Sequence, residues 1–389
     1  MEQTASLWLD EPYTPRPPLA ADGTADVVVV GAGIAGLATA YALARQGASV
    51  VVLERDVAAG AASGRNAGFI LQGVAENYVA ACRRFGADRA TRIWRFTVTN
   101  RILLQSLARR EGIDGGLRWL GSELIAGDDA EWDEIRESAR ALGGHGIRVT
   151  LRPAHPRQRA DSDAARRSER AACFEDDGEM HPVRFVRGLA AATERSGVAI
   201  HEGTAVSAVR PDGVDTARGH VRAGAVVVCA NAFSEHLVRA SRVRPVRGQA
   251  LATAPLARRV FERPSYAQRG YRYWRQTAEG RVVVGGWRDL AFDEEVGEEL
   301  ATTPPIQSAL DAFLAEHGID APVTHRWAGT MGFSHDGLPY AGRRSDGVYV
   351  NAGFTGHGNA FAIATGEVIA SLVRLGRHPD ADLFDPERA

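Results

Sequence analysis

Residues 26–54 read DVVVVGAGIAGLATAYALARQGASVVVLE, and this stretch decides how the rest of the chain is interpreted. Four valines lead into Gly31, Gly33 and Gly36, an apolar helical pattern follows, and a second apolar run ends at Glu54. This order predicts a strand, a tight turn, a helix and a second strand. Gly31 permits the sharp turn, Gly33 lets the backbone approach a pyrophosphate, and Gly36 lets the helix pack closely on the strand. The stretch therefore predicts an adenine-dinucleotide site.

Both ends of this unit suit such a ligand. The helix begins at Ile34 and Ala35, where unpaired N–H groups and the positive dipole end face the phosphates. Glu54, followed by Arg55, can accept hydrogen bonds from the ribose hydroxyls, and its charge disfavours a 2′-phosphate. The glycine pattern alone does not separate FAD from NAD.

Composition excludes several classes of function. The 389 residues exceed one core, so we expect two domains. A formal net charge of −2 argues against binding to nucleic acid or anionic lipid.

No segment approaches about 18 uncharged apolar residues, and the N-terminal stretch lacks the features of a signal peptide, so we expect a cytoplasmic protein without a membrane span. Cys82, Cys173 and Cys229 are too far apart for a paired motif, and we expect no metal site. The chain has no lysine, which excludes Schiff-base chemistry.

The remaining chain alternates between two kinds of pattern. Prolines make residues 1–25 an extended surface arm. We predict helices over 78–111, 128–142 and 304–317 and after His181-Pro182, a short strand over 119–125, and a solvated loop over 157–170. The run AVVVCA at 225–230 predicts a buried strand that returns to the nucleotide domain, whereas the segments from 245 and 271 are typical of an antiparallel sheet. A strand over 347–352 then runs into a second glycine-rich helix start, a further site for negative charge.

At this point the motifs identify a family: the chain resembles the D-amino-acid oxidase superfamily of FAD enzymes. Within it, the chain is most similar to gamma-glutamylputrescine oxidoreductase-like proteins and, at greater distance, to monomeric sarcosine oxidase and glycine oxidase. The motifs that carry the resemblance are WLDEPYTPRPPL at 8–19, GAGIAGLATA at 31–40, GAASGRNAGF at 60–69, His181-Pro182, PVRGQ at 245–249 and GFTGHG at 353–358. The last is the most specific, because NAD dehydrogenases do not need it.

The resemblance implies FAD as the cofactor. The loop after the second strand would lie along the flavin, and the segment 353–359 would lie at the pyrimidine end of the isoalloxazine, where its helix dipole stabilises reduced flavin. For His357, a role limited to orienting backbone stays open. The implied cofactor contacts are Gly31, Gly33, Ile34, Ala35, Gly36, Glu54, Arg55, Ser63, Gly64, Arg65, Asn66, Ala67, Gly68, Val206, Ala230, Gly353, Thr355, Gly356, His357, Gly358 and Asn359.

The sequence differs from the related enzymes in three respects, and each difference changes what we expect of the site. The two lysine positions of sarcosine oxidases look like Ala360 and Val283, so an ammonium does not assist oxygen here. The carboxylate-binding arginine of amino-acid oxidases is replaced by Met331, which disfavours a simple α-amino acid unless Arg272, Arg275 or Arg288 substitutes. No cysteine stands near Thr330, so FAD should be noncovalent.

We therefore expect an α/β flavoprotein with a discontinuous Rossmann-like FAD domain over 26–75, 176–245 and 325–376. An antiparallel-sheet substrate domain occupies 76–175 and 246–324, and a tail follows from 377 to 389. The expected reaction oxidises the C–N bond of a small-molecule amine by hydride transfer to flavin N5, with O2 or another electron acceptor.

The substrate pocket is predicted from a smaller group of side chains. The predicted pocket residues are Gln249, Tyr271, Tyr273, Trp287, Met331 and His335. The aromatic residues have packing as an alternative role, and His335 has a turn as its alternative. Three alternatives to the amine reaction stay open: an amino-acid oxidase or dehydrogenase, a flavin monooxygenase and a non-catalytic FAD subunit.

Overall fold

A computed structural model describes residues 5–152, 170–239 and 242–388. The predicted strand, turn and helix are present, and the strand lies inside the first sheet. The strands of this sheet are β1 Gly23–Val30, β2 Val50–Leu53, β8 Ala199–His201, β9 Val206–Arg210, β10 Gly213–Thr216, β11 Gly219–Val228, β17 Tyr340–Arg343 and β18 Tyr349–Ala352. The parallel neighbours follow in the order β18-β11-β1-β2-β8, with Val30 paired to Leu53 on one side and Val228 on the other. The carboxyl ends of β1, β2 and β11 therefore meet at one edge.

Helices cover this sheet, and two of them approach each other closely. The helices are α1 Ile34–Arg45, α5 Pro182–Arg195 and α7 Gly358–Leu375. A Cβ atom on Gly366 of α7 would lie 2.8 Å from the carbonyl carbon of Ala38 of α1, so glycine permits this contact. The contact fixes the start of α7 relative to the start of α1, and both starts were predicted to face the cofactor.

The second sheet is largely antiparallel, and its strands are β4 Ser122–Ile125, β5 Val149–Arg152, β6 Ala171–Phe174, β12 Arg244–Thr253, β13 Ser265–Ala267, β14 Arg272–Gln276, β15 Val282–Gly286 and β16 Val323–Phe333. They follow the order β16-β12-β15-β14-β13-β4-β6-β5. Helix α6, Pro304–Glu316, packs on it. Strand β16 pairs with β12 along its length and so belongs to this second sheet, whereas the prediction places residues from 325 onward in the cofactor segment 325–376. A small separate sheet pairs β3 Phe69–Ile70 with β7 Gly178–Glu179.

The predicted helix over 78–111 is divided at Gly86, where φ is +81°. The two parts are α2 Tyr78–Phe85 and α3 Ala87–Glu111, and α4 Asp129–Gly144 follows. The Asp128 side chain accepts a hydrogen bond from the Glu131 N–H and so starts α4, as the acidic pattern predicted.

The chain ends pack on the molecule more than the sequence predicts. Trp8 in the arm is only 2% exposed, and Phe384 in the tail is fully buried. Except for Arg170, the loop predicted over 157–170 falls outside the described residues. Within the described residues, no helix combines the length and apolar character needed to cross a membrane.

Candidate active site

A cavity of about 560 Å³ lies between the two sheets. It extends from the carboxyl ends of β1 and β2 past the loop 61–67 to strands β14 and β16. The predicted residues that line it are Gly31, Gly33, Ile34, Ala35, Glu54, Arg55, Ser63, Arg65, Asn66, Ala67, Val206, Ala230, Tyr271, Tyr273, Met331, Thr355, Gly356, His357, Gly358 and Asn359. The predicted cofactor site and part of the predicted substrate pocket thus form one space.

The turn after β1 requires glycine at two positions. Gly31 has φ of +110°, and a Cβ there would lie 2.8 Å from the Cys229 carbonyl oxygen. A Cβ on Gly36 would lie 1.9 Å from the Gly31 carbonyl oxygen. Gly36 does not line the cavity; it lets α1 pack against the turn, as predicted from its spacing.

Glu54 stands at the end of β2, where its carboxylate is held by backbone. Its Oε2 accepts from the Ala32 N–H at 2.7 Å, and its Oε1 accepts from the Asp56 N–H at 2.9 Å. Burial raises the pKa of Glu54, and these two N–H groups oppose that shift. Each carboxylate oxygen keeps a further lone pair, so Glu54 can accept from two ribose hydroxyls.

The loop 61–68 closes on the start of α1. Ser63 Oγ accepts from the Ile34 N–H at 3.0 Å, which orients the loop beside the helix. Gly64 and Gly68 do not line the cavity. A Cβ on Gly64 would lie 2.2 Å from the Ala59 oxygen, and one on Gly68 would lie 2.3 Å from the Met180 oxygen. These two glycines therefore serve the packing of the loop.

Arg65 is the charged side chain that this loop contributes to the cavity. Its Nε donates to the Gly60 oxygen at 3.3 Å, and one terminal nitrogen donates to the Ala328 oxygen at 3.2 Å. No carboxylate among the described residues pairs with it. Burial lowers the pKa of the guanidinium. Arg65 therefore brings positive charge into the cavity.

The segment between β18 and α7 is fixed by backbone hydrogen bonds. The half-buried His357 ring uses Nδ1 to contact the Thr355 oxygen at 3.1 Å, and because a carbonyl only accepts, Nδ1 carries the proton. Burial lowers the pKa of His357, which favours the neutral form of the ring. Gly353 lies behind the cavity wall, and its N–H donates to Asn231 Oδ1 at 3.0 Å. This geometry favours the orienting role of His357 that the sequence left open.

Tyrosines form the wall at the other end. A Cβ on Gly285 would lie 2.4 Å from the Tyr273 ring, so the ring lies directly over this glycine. Burial raises the pKa of Tyr273 to about 12 and also raises the pKa of Tyr266. Both phenols therefore stay protonated at neutral pH and can donate. Tyr271 and Tyr273 line the cavity together, as strand alternation predicted.

Gln249 is not a pocket residue, which corrects the prediction. Gly248 before it lines the cavity, and successive strand residues point to opposite faces. Gln249 therefore points away, where its amide donates to Glu295 at 2.8 Å and to Thr303 at 2.7 Å and accepts from Gln307 at 3.1 Å. It belongs to a buried network that connects β12 to α6.

Trp287 and His335 also lie outside the cavity wall. Trp287 packs edge to face on Phe313 with ring centres 5.6 Å apart, and the Arg272 guanidinium lies 4.7 Å from its ring. His335 is exposed in the turn after β16, with Nδ1 2.7 Å from the Tyr340 hydroxyl. The packing and turn alternatives describe these two residues better than pocket roles.

Arg288 is absent from the predicted pocket set, although the sequence offers it, with Arg272 and Arg275, as a possible carboxylate-binding arginine. It lines the cavity, and its guanidinium carbon lies 5.5 Å from the Tyr271 ring centre and 5.1 Å from that of Phe333. The backbone turns sharply before it, because Trp287 has φ of +59° and a Cβ on Gly286 would lie 2.2 Å from the Tyr271 oxygen. A bulky residue in this conformation is strained.

The other two candidate arginines are engaged elsewhere. Arg272 forms a double hydrogen bond with Asp289, and the buried Arg275 pairs with Glu179 at 3.3 Å. Arg288 has no ion-pair partner among the described residues, and burial lowers the pKa of its guanidinium. Of the three, only Arg288 has its charge directed to the cavity.

Comparison with known proteins now decides the family. A family model described as FAD dependent oxidoreductase, DAO, matches residues 26–372. The chain belongs to this family. Gamma-glutamylputrescine oxidoreductase of Escherichia coli (strain K12) is 28% identical over 96% of this chain and 88% of that protein. Glycine oxidase of Pseudomonas aeruginosa is 27% identical over 92% of this chain and 96% of its own.

Two solved structures share the fold. The crystal structure of glycine oxidase from Geobacillus kaustophilus superposes with a TM-score of 0.79 at 23% identity, covering 94% of this chain and 99% of that one. L-proline dehydrogenase from P. horikoshii gives a TM-score of 0.78 at 21% identity, covering 96% and 98%. These likenesses confirm the predicted α/β flavoprotein fold.

The residues of this DAO-family site fit FAD. The glycine turn at Gly31 and Gly33 leaves room for a pyrophosphate, and Glu54 would hold the adenosine ribose. The N–H groups of Asn66 and Ala67 have no protein partner among the described residues and line the same cavity. Donors at this end suit the many acceptor atoms of the cofactor.

Proposed function

We propose that the chain oxidises the C–N bond of a small amine that also carries a carboxylate. The observation that carries this proposal is the guanidinium of Arg288 on the cavity wall, without an ion pair in the described chain. FAD, when bound, supplies the oxidising capacity by accepting two electrons as the amine becomes an imine, which water then hydrolyses. The electrons leave to O2 or to another acceptor.

A partly buried cation without a counter-ion favours an anionic ligand. Asp289 and Glu295 contribute charge near Arg288, but Asp289 is bound by Arg272 and Glu295 by Arg247. A substrate carboxylate would restore the interactions that the Arg288 guanidinium loses on leaving water. Arg288 therefore acts by holding one end of the substrate.

This proposal adopts the alternative that the sequence left open. Met331 lines the cavity without offering a donor to an anion, which led us to expect an amine lacking an α-carboxylate. Arg288 enters the same cavity from the end of β15 and supplies the missing donor. Gamma-glutamylputrescine and glycine, named in two similar proteins, each contain an amine and a carboxylate.

The cavity also favours a neutral amine at the reacting end. Glu54, at the adenosine end, is the one carboxylate on the wall among the described residues. An ammonium near Arg288 and behind the Tyr266 and Tyr273 rings loses hydration and meets a like charge, and both effects lower its pKa. The protein thus promotes loss of the proton that oxidation of the C–N bond requires.

The test uses matched pairs of compounds, each an amino acid and its amide, mixed anaerobically with the FAD-loaded protein. We expect the yellow oxidised flavin to bleach faster with the acid. The amine of the amide is less basic, so a larger fraction of it is neutral at a given pH, and this alone would make the amide react faster. Faster bleaching with the acid is therefore a demanding test of the carboxylate site. Bleaching by amides or simple alkylamines alone would contradict the carboxylate, and bleaching only by NADPH would indicate a monooxygenase.

A further inference from the structure

The N-terminal arm contacts the backbone of the cofactor loop directly. Ser6 Oγ donates to the Gly64 oxygen at 2.6 Å, and Trp8 Nε1 donates to the Asn66 oxygen at 2.7 Å. Between them, Trp327 Nε1 donates to the Arg65 oxygen at 2.9 Å. Three consecutive carbonyls of this loop are therefore bound by donors from buried side chains.

These bonds determine what the loop presents to the cavity. A carbonyl that is bound on the protein side cannot turn its oxygen toward a ligand without losing that bond. On the cavity side, the N–H groups of Asn66 and Ala67 have no protein acceptor in the described part of the chain. The loop thus offers donors to FAD, whose phosphates, ring carbonyls and ring nitrogens are acceptors.

The arm is itself held in place at the loop. Trp8 is 2% exposed and contacts two groups: the Arg275 guanidinium carbon lies 4.8 Å from its ring centre, and the His181 ring packs edge to face with ring centres 5.0 Å apart. Arg275 is anchored in turn by its bond to the Met180 oxygen at 2.9 Å. A buried tryptophan with a satisfied N–H in this setting has little freedom to leave.

We infer that Ser6 and Trp8 are positioning residues of the FAD site. They hold the carbonyls of residues 64 and 66 away from the cavity, so the arm belongs to the cofactor-binding machinery although it contributes no lining residue. This inference concerns the cofactor and does not depend on the proposed substrate.

The test measures FAD affinity of the apo protein by titration. Trp8→Phe keeps an aromatic ring but removes the N–H, and Ser6→Ala removes the hydroxyl with little change in volume. Each removes one neutral hydrogen bond, so we expect FAD binding to weaken about fivefold in each variant. Trypsin should also cut the apo variants faster after Arg65, because the loop is released.

Trp94→Phe is the matched control. Trp94 is also buried, but its Nε1 has no hydrogen-bond partner, so this variant loses ring area without losing a bond. We expect its FAD affinity to stay within about twofold of the wild type. FAD affinity within twofold of the wild type in both arm variants would overturn the inference. An equal loss in Trp94→Phe would do so too, since it would indicate general destabilisation.

Discussion

Glu54→Gln should weaken FAD binding roughly tenfold to a hundredfold. The carboxylate accepts from the Ala32 and Asp56 N–H groups, one on each oxygen. An amide has one oxygen and one NH2, so one of these two N–H groups would face a donor, at a cost of about 1–3 kcal/mol. The ribose would also lose a charged acceptor, a hydrogen bond of about 1.5–3 kcal/mol. The cost of the unpaired N–H group is partly present in the apo protein as well. The loss of FAD binding energy is therefore expected at the lower end of the summed range.

The assay is a titration of the apo protein with FAD, followed by the loss of flavin fluorescence. Asp56→Asn is the control, because its side chain is exposed, contacts Arg55 at 3.1 Å and leaves its own backbone N–H in place. The control should bind FAD within about twofold of the wild type. If Glu54→Gln also binds within twofold, Glu54 does not hold the ribose and the reasoning is wrong.

Three further predictions follow from the cavity and the core. Burial raises the pKa of the Cys229 thiol to about 12, so this cysteine does not form the thiolate that a covalent bond to flavin needs. Acid precipitation should therefore release intact FAD, and flavin retained by the polypeptide would contradict noncovalent binding. Because the chain has no lysine, a cavity cation that assists O2 must be an arginine, and we expect this to be Arg65, which belongs to the loop beside the cofactor, rather than Arg288 at the substrate end. Reoxidation of the reduced Arg65→Gln protein in air-saturated buffer should be roughly tenfold slower or more, and an unchanged rate would exclude this role. Asp177 accepts from Gln72 and Ser122, and burial raises its pKa from 3.8 to about 7. The stability from this raised pKa is complete below about pH 4 and is lost by the time the pH has risen through about 7, so Asp177→Asn should flatten the fall of Tm between about pH 4 and 7, and an unchanged slope would contradict the assignment.

The nucleotide-binding unit was predictable because its geometry constrains the residues tightly. The structure has β1 ending at Val30, α1 starting at Ile34 and β2 ending at Leu53, close to the limits that the glycine spacing implied. Gly31 and Gly36 sit where a Cβ would overlap backbone, so their identity is decided locally. Local constraints of this kind can be read from a sequence.

The substrate end was only partly predictable because both faces of its sheet are covered. Alternation correctly grouped Tyr271 with Tyr273, but it could not tell which face meets the cavity, and Gln249 and Trp287 point to the other face. Arg288 differs from Arg272 and Arg275 because it has no carboxylate ion-pair partner among the described residues. That property arises from tertiary contacts and leaves no mark on the local sequence.

The proposed carboxylate site is tested most directly by the ratio of the flavin-reduction rates with an amino acid and with its amide. This preference for the acid is measured in the wild type and in Arg288→Gln. Loss of charge-assisted hydrogen bonds of about 1.5–3 kcal/mol each predicts that the preference falls at least tenfold in the variant. Arg269→Gln, at a cavity-lining arginine already paired with Glu134 at 3.1 Å, should keep the preference within about twofold. An Arg288→Gln protein that still prefers the acid as strongly as the wild type would contradict the proposed function.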